Sequence, residues 1–186
     1  MQRVVSTLRV LGSIAASVVL CLTIEARGVD LSPEQQTGAL LLKITRYVTW
    51  PDPKKADSNS FFLVGVLGTS AVVNVLQHAS KGRSVHGRPY RVVHFPAGWD
   101  VREWRKCQVL FISQSEQGRL AEILSAIEGA SVLSVSSIES FANRGGMLSF
   151  DTSSTKLRIL LNPRIASEVG IEFSSRLQKI ATIVDR

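Results

Sequence analysis

Helical and strand patterns alternate along this chain from Ser32 onward, and this alternation constrains the fold more than any other feature. A helix between two strands favours parallel pairing, because the chain must cross back over the sheet before the second strand begins. The sequence therefore predicts a single α/β domain with a mixed, mostly parallel sheet of about six strands and helices on both faces. The predicted strands are residues 61–67, 90–95, 109–112, 132–135, 147–150 and 157–161.

The last two predicted strands are joined differently from the others. Only the polar turn from Asp151 to Lys156 separates them, and such a turn is too short to contain a crossover helix. We therefore expect a C-terminal antiparallel hairpin, followed by one more helix. The apolar stripe predicted for that helix consists of Leu177, Ile180, Ala181 and Val184.

The first helix has a strong start signal. Ser32 stands at the N-cap, Pro33 at the first helical position and Gln35 at the third, which together predict a capping box. Pro51 is predicted to end the helix, because proline lacks an N–H and disfavours helical geometry at the residue before it. The apolar positions at helical spacing are Leu40, Ile44, Tyr47 and Val48.

The N-terminal segment has the features of an export signal. Arg3 and Arg9 supply a positive start, and residues 10–24 contain no charge. That apolar stretch suits a signal-peptide core and is short for a membrane span. We predict a cleaved signal peptide over residues 1–26 and a single domain over residues 27–186.

The composition narrows the possible partners. The chain carries a formal net charge of +7, which becomes +6 without residues 1–26 because two Arg and one Glu leave with them. For an exported protein, this charge favours an acidic partner, anionic lipid or an anionic ligand over nucleic acid. The densest basic stretch, residues 81–91, contains Arg88 and Arg91 and is interpreted either as a solvated strand edge or as a binding surface.

No catalytic or metal-binding motif is recognisable. The three histidines, His78, His86 and His94, do not have the spacing of metal ligands on one helix. The chain contains no G-x-S-x-G nucleophile elbow. Cys107 is the one cysteine outside the predicted signal peptide, so no internal disulfide is possible, and it is predicted to be a small buried residue at the start of a strand. The sequence thus favours a non-enzymatic protein without a cofactor.

The first turn of the last predicted helix contains an unfavourable positive charge. If Ser174 or Ser175 caps the last helix, Arg176 falls in its first turn, where the partial positive charge of the helix end disfavours a cation. The Arg176 guanidinium could serve an anionic ligand or partner, together with the two serine hydroxyls. The alternative is an internal salt bridge from Arg176 to Glu172 or Asp151.

Tryptophans supply the remaining candidates. Trp50, directly before Pro51, is interpreted mainly as a cap on the core. Trp99 and Trp104 form an aromatic-rich segment, and exposed aromatic side chains often anchor protein interfaces. We therefore include Trp99 and Trp104 among the candidate partner-binding residues.

Several short motifs occur in a fixed order: Y-V-T-W-P at 47–51, G-V-L-G at 65–68, V-L-F-I-S at 109–113, F-A-N-R-G-G-M at 141–147 and S-S-R-L at 174–177. With this set the chain resembles the YfiR-like family of small periplasmic proteins, from about residue 35 to residue 184. Cysteine pairs known in that family have no counterpart here, since Cys107 stands alone.

The resemblance implies a function that the residues alone do not. Family members are non-enzymatic periplasmic regulators, and the resemblance implies binding to the periplasmic sensing domain of an inner-membrane diguanylate cyclase. Repression of that enzyme would lower cyclic di-GMP and biofilm formation, and an outer-membrane lipoprotein would relieve it. The resemblance also suggests a homodimer and a small-molecule ligand. Two alternatives are a periplasmic ligand sensor that feeds a histidine kinase or a chemoreceptor, and a structural or assembly factor of the envelope.

Overall fold

The computed structural model describes residues 32–51, 60–96, 100–152 and 157–184, and every element below lies in these ranges. The helices are α1 (Pro33–Ile44), α2 (Val72–Ala79), α3 (Val101–Trp104), α4 (Leu120–Ala126), α5 (Pro163–Glu168) and α6 (Ser175–Ile180). The strands are β1 (Val48–Thr49), β2 (Phe62–Leu67), β3 (Ser84–Val85), β4 (Arg88–Phe95), β5 (Val109–Ile112), β6 (Leu133–Ser136), β7 (Leu148–Asp151), β8 (Arg158–Leu161), β9 (Glu172–Phe173) and β10 (Thr182–Ile183).

Eight strands form one mixed sheet in the order β10-β8-β7-β6-β5-β2-β4-β3. The neighbours from β4 to β7 pair in parallel, whereas β7 and β8 form the expected antiparallel hairpin. The α/β fold class with a mixed, mostly parallel sheet is therefore confirmed. The sheet is wider than predicted because the two-residue strands β3 and β10 add one strand at each edge. Strands this short have too few residues for a period-two pattern.

The core lies on both faces of the sheet. Alternate residues of β5 separate, with Val109 and Phe111 in one buried cluster and Leu110 and Ile112 in the other. This alternation follows from the period of two in a strand. The first cluster includes side chains of α1, α2, α5 and α6, and the second includes side chains of α3 and α4. Helices cover both faces, as predicted, so the sheet interior is mainly apolar, with Ser134, Ser136 and Ser149 as buried polar residues of β6 and β7.

The start of α1 also matches the prediction. The Ser32 hydroxyl accepts a hydrogen bond from the Gln35 N–H at 3.3 Å, and the Gln35 side chain accepts one from the Ser32 N–H at 2.9 Å. The end of α1 differs from the prediction. The helix ends at Ile44, and Val48 already belongs to β1. Pairing of β1 with a distant strand takes the chain out of the helix before Pro51 is reached.

The last helix is shorter than its predicted stripe. α6 ends at Ile180, Ala181 has extended backbone angles of φ −104° and ψ 159°, and Thr182 and Ile183 pair in parallel with β8. Ile180 is 74% exposed, so the predicted single buried stripe is wrong beyond Leu177. Threonine and isoleucine are β-branched and favour a strand, and here an open sheet edge is available for them to join.

The N-terminal region contributes no described element before α1. The predicted signal peptide over residues 1–26 lies outside the described residues and remains a prediction. Within the described ranges, no helix combines the length and the apolar character that a membrane crossing requires.

Candidate interaction surface

Two of the sequence motifs meet in the fold. Strand β1, inside the Y-V-T-W-P motif, pairs antiparallel with β9, which directly precedes the S-S-R-L motif. Val48 lies opposite Phe173, and the Ser174 N–H donates a hydrogen bond to the Tyr47 carbonyl at 2.9 Å. This small two-stranded sheet ties the start of α6 to the end of the first helical region.

Trp50 lies beside that junction and is half-buried. Its indole N–H donates to the Gln108 carbonyl at 2.9 Å, and its ring packs edge-on against Phe62 with centroids 5.0 Å apart. The next residue, Pro51, packs against Gly170, which has φ +74°. A Cβ placed on Gly170 would lie only 3.1 Å from the Pro51 Cβ. These contacts support a core-capping role for the Trp50-Pro51 pair.

Arg176 is exposed in the first turn of α6, as the sequence predicts. The Ser174 hydroxyl accepts a hydrogen bond from the Leu177 N–H at 3.3 Å and is therefore used as the N-cap. Asp151 pairs with Arg158 at 2.5 Å. Among the described residues Arg176 makes no salt bridge, so the proposed internal bridge to Glu172 or Asp151 is not formed.

Two exposed large hydrophobic side chains lie at the end of α6 and on the edge strand that follows it. In the described part of the chain, the exposed large hydrophobic side chains are Tyr47 at 38%, Ile180 at 74% and Ile183 at 45% exposure. Ile180 ends α6, Ile183 lies on the edge strand β10, and Tyr47 is hydrogen bonded to the residue before α6. We call Arg176, Ile180 and Ile183, which all lie on α6 or β10, the C-terminal patch. Sequence reasoning missed its apolar members because it placed Ile180 on a buried stripe, although the β-branched run from Thr182 to Val184 already favoured a strand.

The two arginines predicted on the basic stretch have different environments. Arg88 is half-buried, and its guanidinium donates to the Ser60 carbonyl at 3.2 Å and also to the Phe61 carbonyl. Burial lowers the pKa of Arg88. Arg91 is exposed and lies over the Phe61 ring, 3.5 Å from its centroid. Arg88 thus anchors the start of β2, whereas Arg91 keeps its hydrogen-bond donors at the surface.

The tryptophan segment does not form the expected exposed pair. Trp104 is only 3% exposed and packs in the second core cluster with Phe95 and Ile123. Its ring is therefore not available as an interface anchor, and that expectation is corrected here. The Trp104 side chain of α3 points into the core, where its indole buries a large apolar area. Trp99 lies outside the described residues.

Polar side chains of the chain itself lie at the usual ligand position of this kind of sheet. Open α/β sheets commonly bind ligands at the carboxyl ends of their strands where the strand order reverses, which here is between β2 and β5. A Cβ on Gly68, the residue after β2, would lie 2.5 Å from the Ser113 and Ser115 hydroxyl oxygens and 2.6 Å from a Glu116 carboxylate oxygen. The chain's own polar groups therefore occupy the space beside Gly68.

The Cys107 thiol, which precedes β5, is not placed for nucleophilic chemistry. Cys107 is buried, and this burial raises the pKa of its thiol to about 12, which disfavours the reactive thiolate. Among the described residues, no group of three or more His, Cys, Asp or Glu side chains is arranged to hold a metal ion.

Comparison with known proteins gives a family match over most of the chain. The profile of a family described as YfiR/HmsC-like matches residues 34–182. The comparison with curated proteins found no match.

Solved structures resemble this fold at low sequence identity. A conserved domain protein from Vibrio cholerae O1 biovar El Tor is 16% identical with a TM-score of 0.56, over 83% of this chain and 60% of that one. The ABC domain from Streptococcus pneumonia, solved in complex with L-Trp, is 14% identical with a TM-score of 0.51, over 82% of this chain and 60% of that one. The chain thus spans 60% of the length of both structures, and the likeness concerns the fold alone.

Proposed function

Because this chain belongs to the YfiR/HmsC-like family, whose members are periplasmic regulators of diguanylate cyclases, we propose that it represses one inner-membrane diguanylate cyclase by binding its periplasmic sensing domain. The observation that carries this proposal is the family match over residues 34–182. Repression would lower cellular cyclic di-GMP and biofilm formation. An outer-membrane lipoprotein that binds this protein would relieve the repression by competing for it.

The repression is a shift between two states of the receptor. The catalytic domain of such an enzyme lies on the other side of the membrane, so the regulator can act only through the sensing domain. Binding shifts the equilibrium only to the extent that affinity differs between the active and the inactive receptor. The regulator therefore needs a defined binding surface and no catalytic residue of its own.

We assign the receptor contact to the C-terminal patch. Exposed Ile180 and Ile183 supply apolar area, and Arg176 supplies a cation without an ion-pair partner among the described residues. Apolar side chains beside an arginine are a common composition for the centre of an interface. Ser175 is exposed next to Arg176 and would extend this contact as a polar group. Arg91 lies on β4, near the opposite edge of the sheet, and is not part of this contact.

The test combines a cellular and a purified system. Deletion of the gene should raise cyclic di-GMP, and complementation with the natural protein should restore the low level. Purified protein should bind the periplasmic domain of the diguanylate cyclase encoded nearest to its gene. The repressor proposal is wrong if cyclic di-GMP is unchanged by deletion and no binding is measured.

Substitutions then locate the surface. Ile180→Asp should weaken binding by roughly tenfold to a hundredfold, because a charge replaces an apolar side chain at the contact, and should raise cyclic di-GMP towards the deletion level. Ala121→Asp places the same charge at an exposed position of α4, on the other face of the sheet, and should complement fully. If Ile180→Asp represses as well as the natural protein, the regulator acts through another surface.

A further inference from the structure

A groove separates α1 from the hairpin formed by β3 and β4. Its volume is about 710 Å³, and its lining includes Lys43, Arg46, Arg83 and Tyr90. Lys43 and Arg46 come from the end of α1 and the turn after it, whereas Arg83 precedes β3. A second groove of about 550 Å³ adjoins it, because the two share Arg83, Ser84 and Tyr90 as lining residues, and it adds Lys81. The fold therefore brings cations from two parts of the sequence, residues 43–46 and 81–83, to two adjoining grooves.

These cations are not neutralised by the protein. Lys43, Arg46 and Arg83 are exposed, and none of them makes a side-chain hydrogen bond or ion pair with another described residue. No Asp or Glu is among the described residues that line the groove. Most other arginines are engaged, for example Arg119 with two glutamates and Arg105 with two backbone carbonyls. An unopposed positive field in a concave site attracts anions.

The wall beneath the cations is preformed. The Tyr90 hydroxyl lies 2.6 Å from the Thr45 hydroxyl and donates to the Leu42 carbonyl at 3.2 Å. The Tyr90 ring also packs edge-on against Phe62, with centroids 5.5 Å apart. Burial raises the pKa of Tyr90, while the positive charges of Arg46 and Arg83 act in the opposite direction. These contacts hold the Tyr90 side chain in one orientation, so a ligand would meet a preformed wall.

The lining is not uniformly polar. Leu40 and Leu157 are half-buried and line the same groove, so part of their apolar surface is open to a ligand. The volume lies within the range of roughly 300–1,000 Å³ that is typical of small-molecule sites. Arginine favours carboxylate and phosphate groups, because its planar guanidinium can donate two parallel hydrogen bonds to them.

We propose that this groove binds an amphipathic organic anion, with the carboxylate, sulfonate or phosphate group held by Arg46 and Arg83 and the apolar part against Leu40 and Leu157. This proposal does not depend on the proposed repressor function. A ligand bound there would tie α1 to the β3–β4 hairpin, because its two parts contact residues from both.

A fluorescent probe with this chemistry tests the proposal. Anilinonaphthalene sulfonate joins one sulfonate to an apolar aromatic body, and it should bind the folded protein at one saturable site. The double variant Arg46→Gln/Arg83→Gln should lower its affinity by roughly tenfold or more, since hydrogen bonds to charged groups are lost. Circular dichroism should be unchanged, because both side chains are exposed.

Two controls separate the groove from general charge and from other apolar surface. Arg144→Gln/Lys179→Gln removes two exposed cations elsewhere and should keep the probe affinity within about twofold, as most surface changes do. The uncharged probe N-phenylnaphthylamine should not distinguish the Arg46→Gln/Arg83→Gln variant from the natural protein. The proposal is overturned if both double variants lose affinity equally, or if Ile180→Asp alone abolishes probe binding, which would place the probe on the C-terminal patch.

Vesicles identify the natural source of the anion. Co-sedimentation with phosphatidylglycerol vesicles that is lost in Arg46→Gln/Arg83→Gln would assign the groove to a lipid headgroup. Binding of the soluble probe without vesicle binding would assign it to a free organic acid. A natural protein that binds neither the probe nor the vesicles contradicts the proposal.

Discussion

The two edges of the sheet are built in opposite ways. At one edge, β3 and β4 form a hairpin whose two-residue turn, His86 and Gly87, has positive φ at both positions, 50° and 75°. Arg88 and Tyr90 fasten this hairpin to the rest of the fold through backbone carbonyls. At the other edge, β10 contributes two residues and presents Ile183 to solvent.

The difference is consistent with the separate uses that we propose for the two edges. An exposed sheet edge with apolar side chains invites association, and proteins usually shield such edges with charges or short strands. The hairpin edge follows this practice, since cations and a tight turn cover it. The β10 edge is short but carries exposed isoleucine, which supports a contact with another protein there. In our proposals, the closed edge binds a small anion and the open edge binds the receptor.

The largest expected effect is a loss of stability. We compare one apolar side chain near the hairpin edge with one on the β10 edge. Phe62 is 1% exposed and contacts the rings of Trp50 and Tyr90 behind the hairpin edge. Phe62→Ala should lower the free energy of unfolding by about 3–5 kcal/mol, because it leaves a cavity. Ile183→Ala should change it by less than about 0.5 kcal/mol, as for most surface positions. Urea unfolding of both variants measures the difference, and equal losses would contradict the contrast between the two edges.

A smaller difference in stability is expected between substitutions of two arginines on β4, Arg88 and Arg91. Arg88→Ala should lower the free energy of unfolding by about 2 kcal/mol, because charged hydrogen bonds to the Ser60 and Phe61 carbonyls are lost. Arg91→Ala removes only a stacking contact on Phe61 and should cost about 0.5–1 kcal/mol. The same urea experiment applies. If the two losses are equal, Arg88 does not fasten the hairpin edge in the way its contacts indicate.

The sequence was sufficient for the regular parts of this fold. Long strands such as β2 and β4 were predicted closely, because apolar runs and turn residues define them locally. The capping box of α1 was also predicted, since its signal lies within four residues. The two-residue strands β1, β3, β9 and β10 could not be predicted, because each exists only through pairing with a distant partner.

Side-chain environment was harder to predict than the fold. Whether Trp104 faces the core or solvent depends on the orientation of α3, which no local pattern encodes. Arg46 and Arg83 line the same groove although β1, β2 and α2 lie between them in the sequence. The basic stretch did draw attention to residues 81–91, but the structure assigns Arg88 to a backbone anchor and shows that the open cations there include Arg83. Such juxtapositions require the tertiary fold.

The smallest expected effect is a pH dependence of the free energy of unfolding. It tests whether water reaches the buried side chains around Cys107. The Cys107 sulfur lies close to β2 and β4, since a Cβ on Gly65 would be 2.9 Å from it and 2.8 Å from the Phe95 ring. Burial raises the pKa of Cys107 from 9.0 to about 12. The stabilisation from this thiol is complete below pH 9 and is lost as pH rises towards 12, because the unfolded chain releases the proton first. At pH 10 the loss should be about 1 kcal/mol.

A matched variant isolates this contribution from the other groups that titrate at alkaline pH. Cys107→Ala lacks the thiol, so its free energy of unfolding should fall by about 1 kcal/mol less than that of the natural protein between pH 8 and pH 10. Urea unfolding at the two pH values, for both proteins, gives the comparison. Parallel losses would mean that the thiol reaches water in the folded protein. In that case the layer between β2, β4 and α3, in which Cys107 packs with Phe95 and Trp104, would admit solvent, and the burial that sets this side of the sheet apart from the exposed β10 edge would not hold.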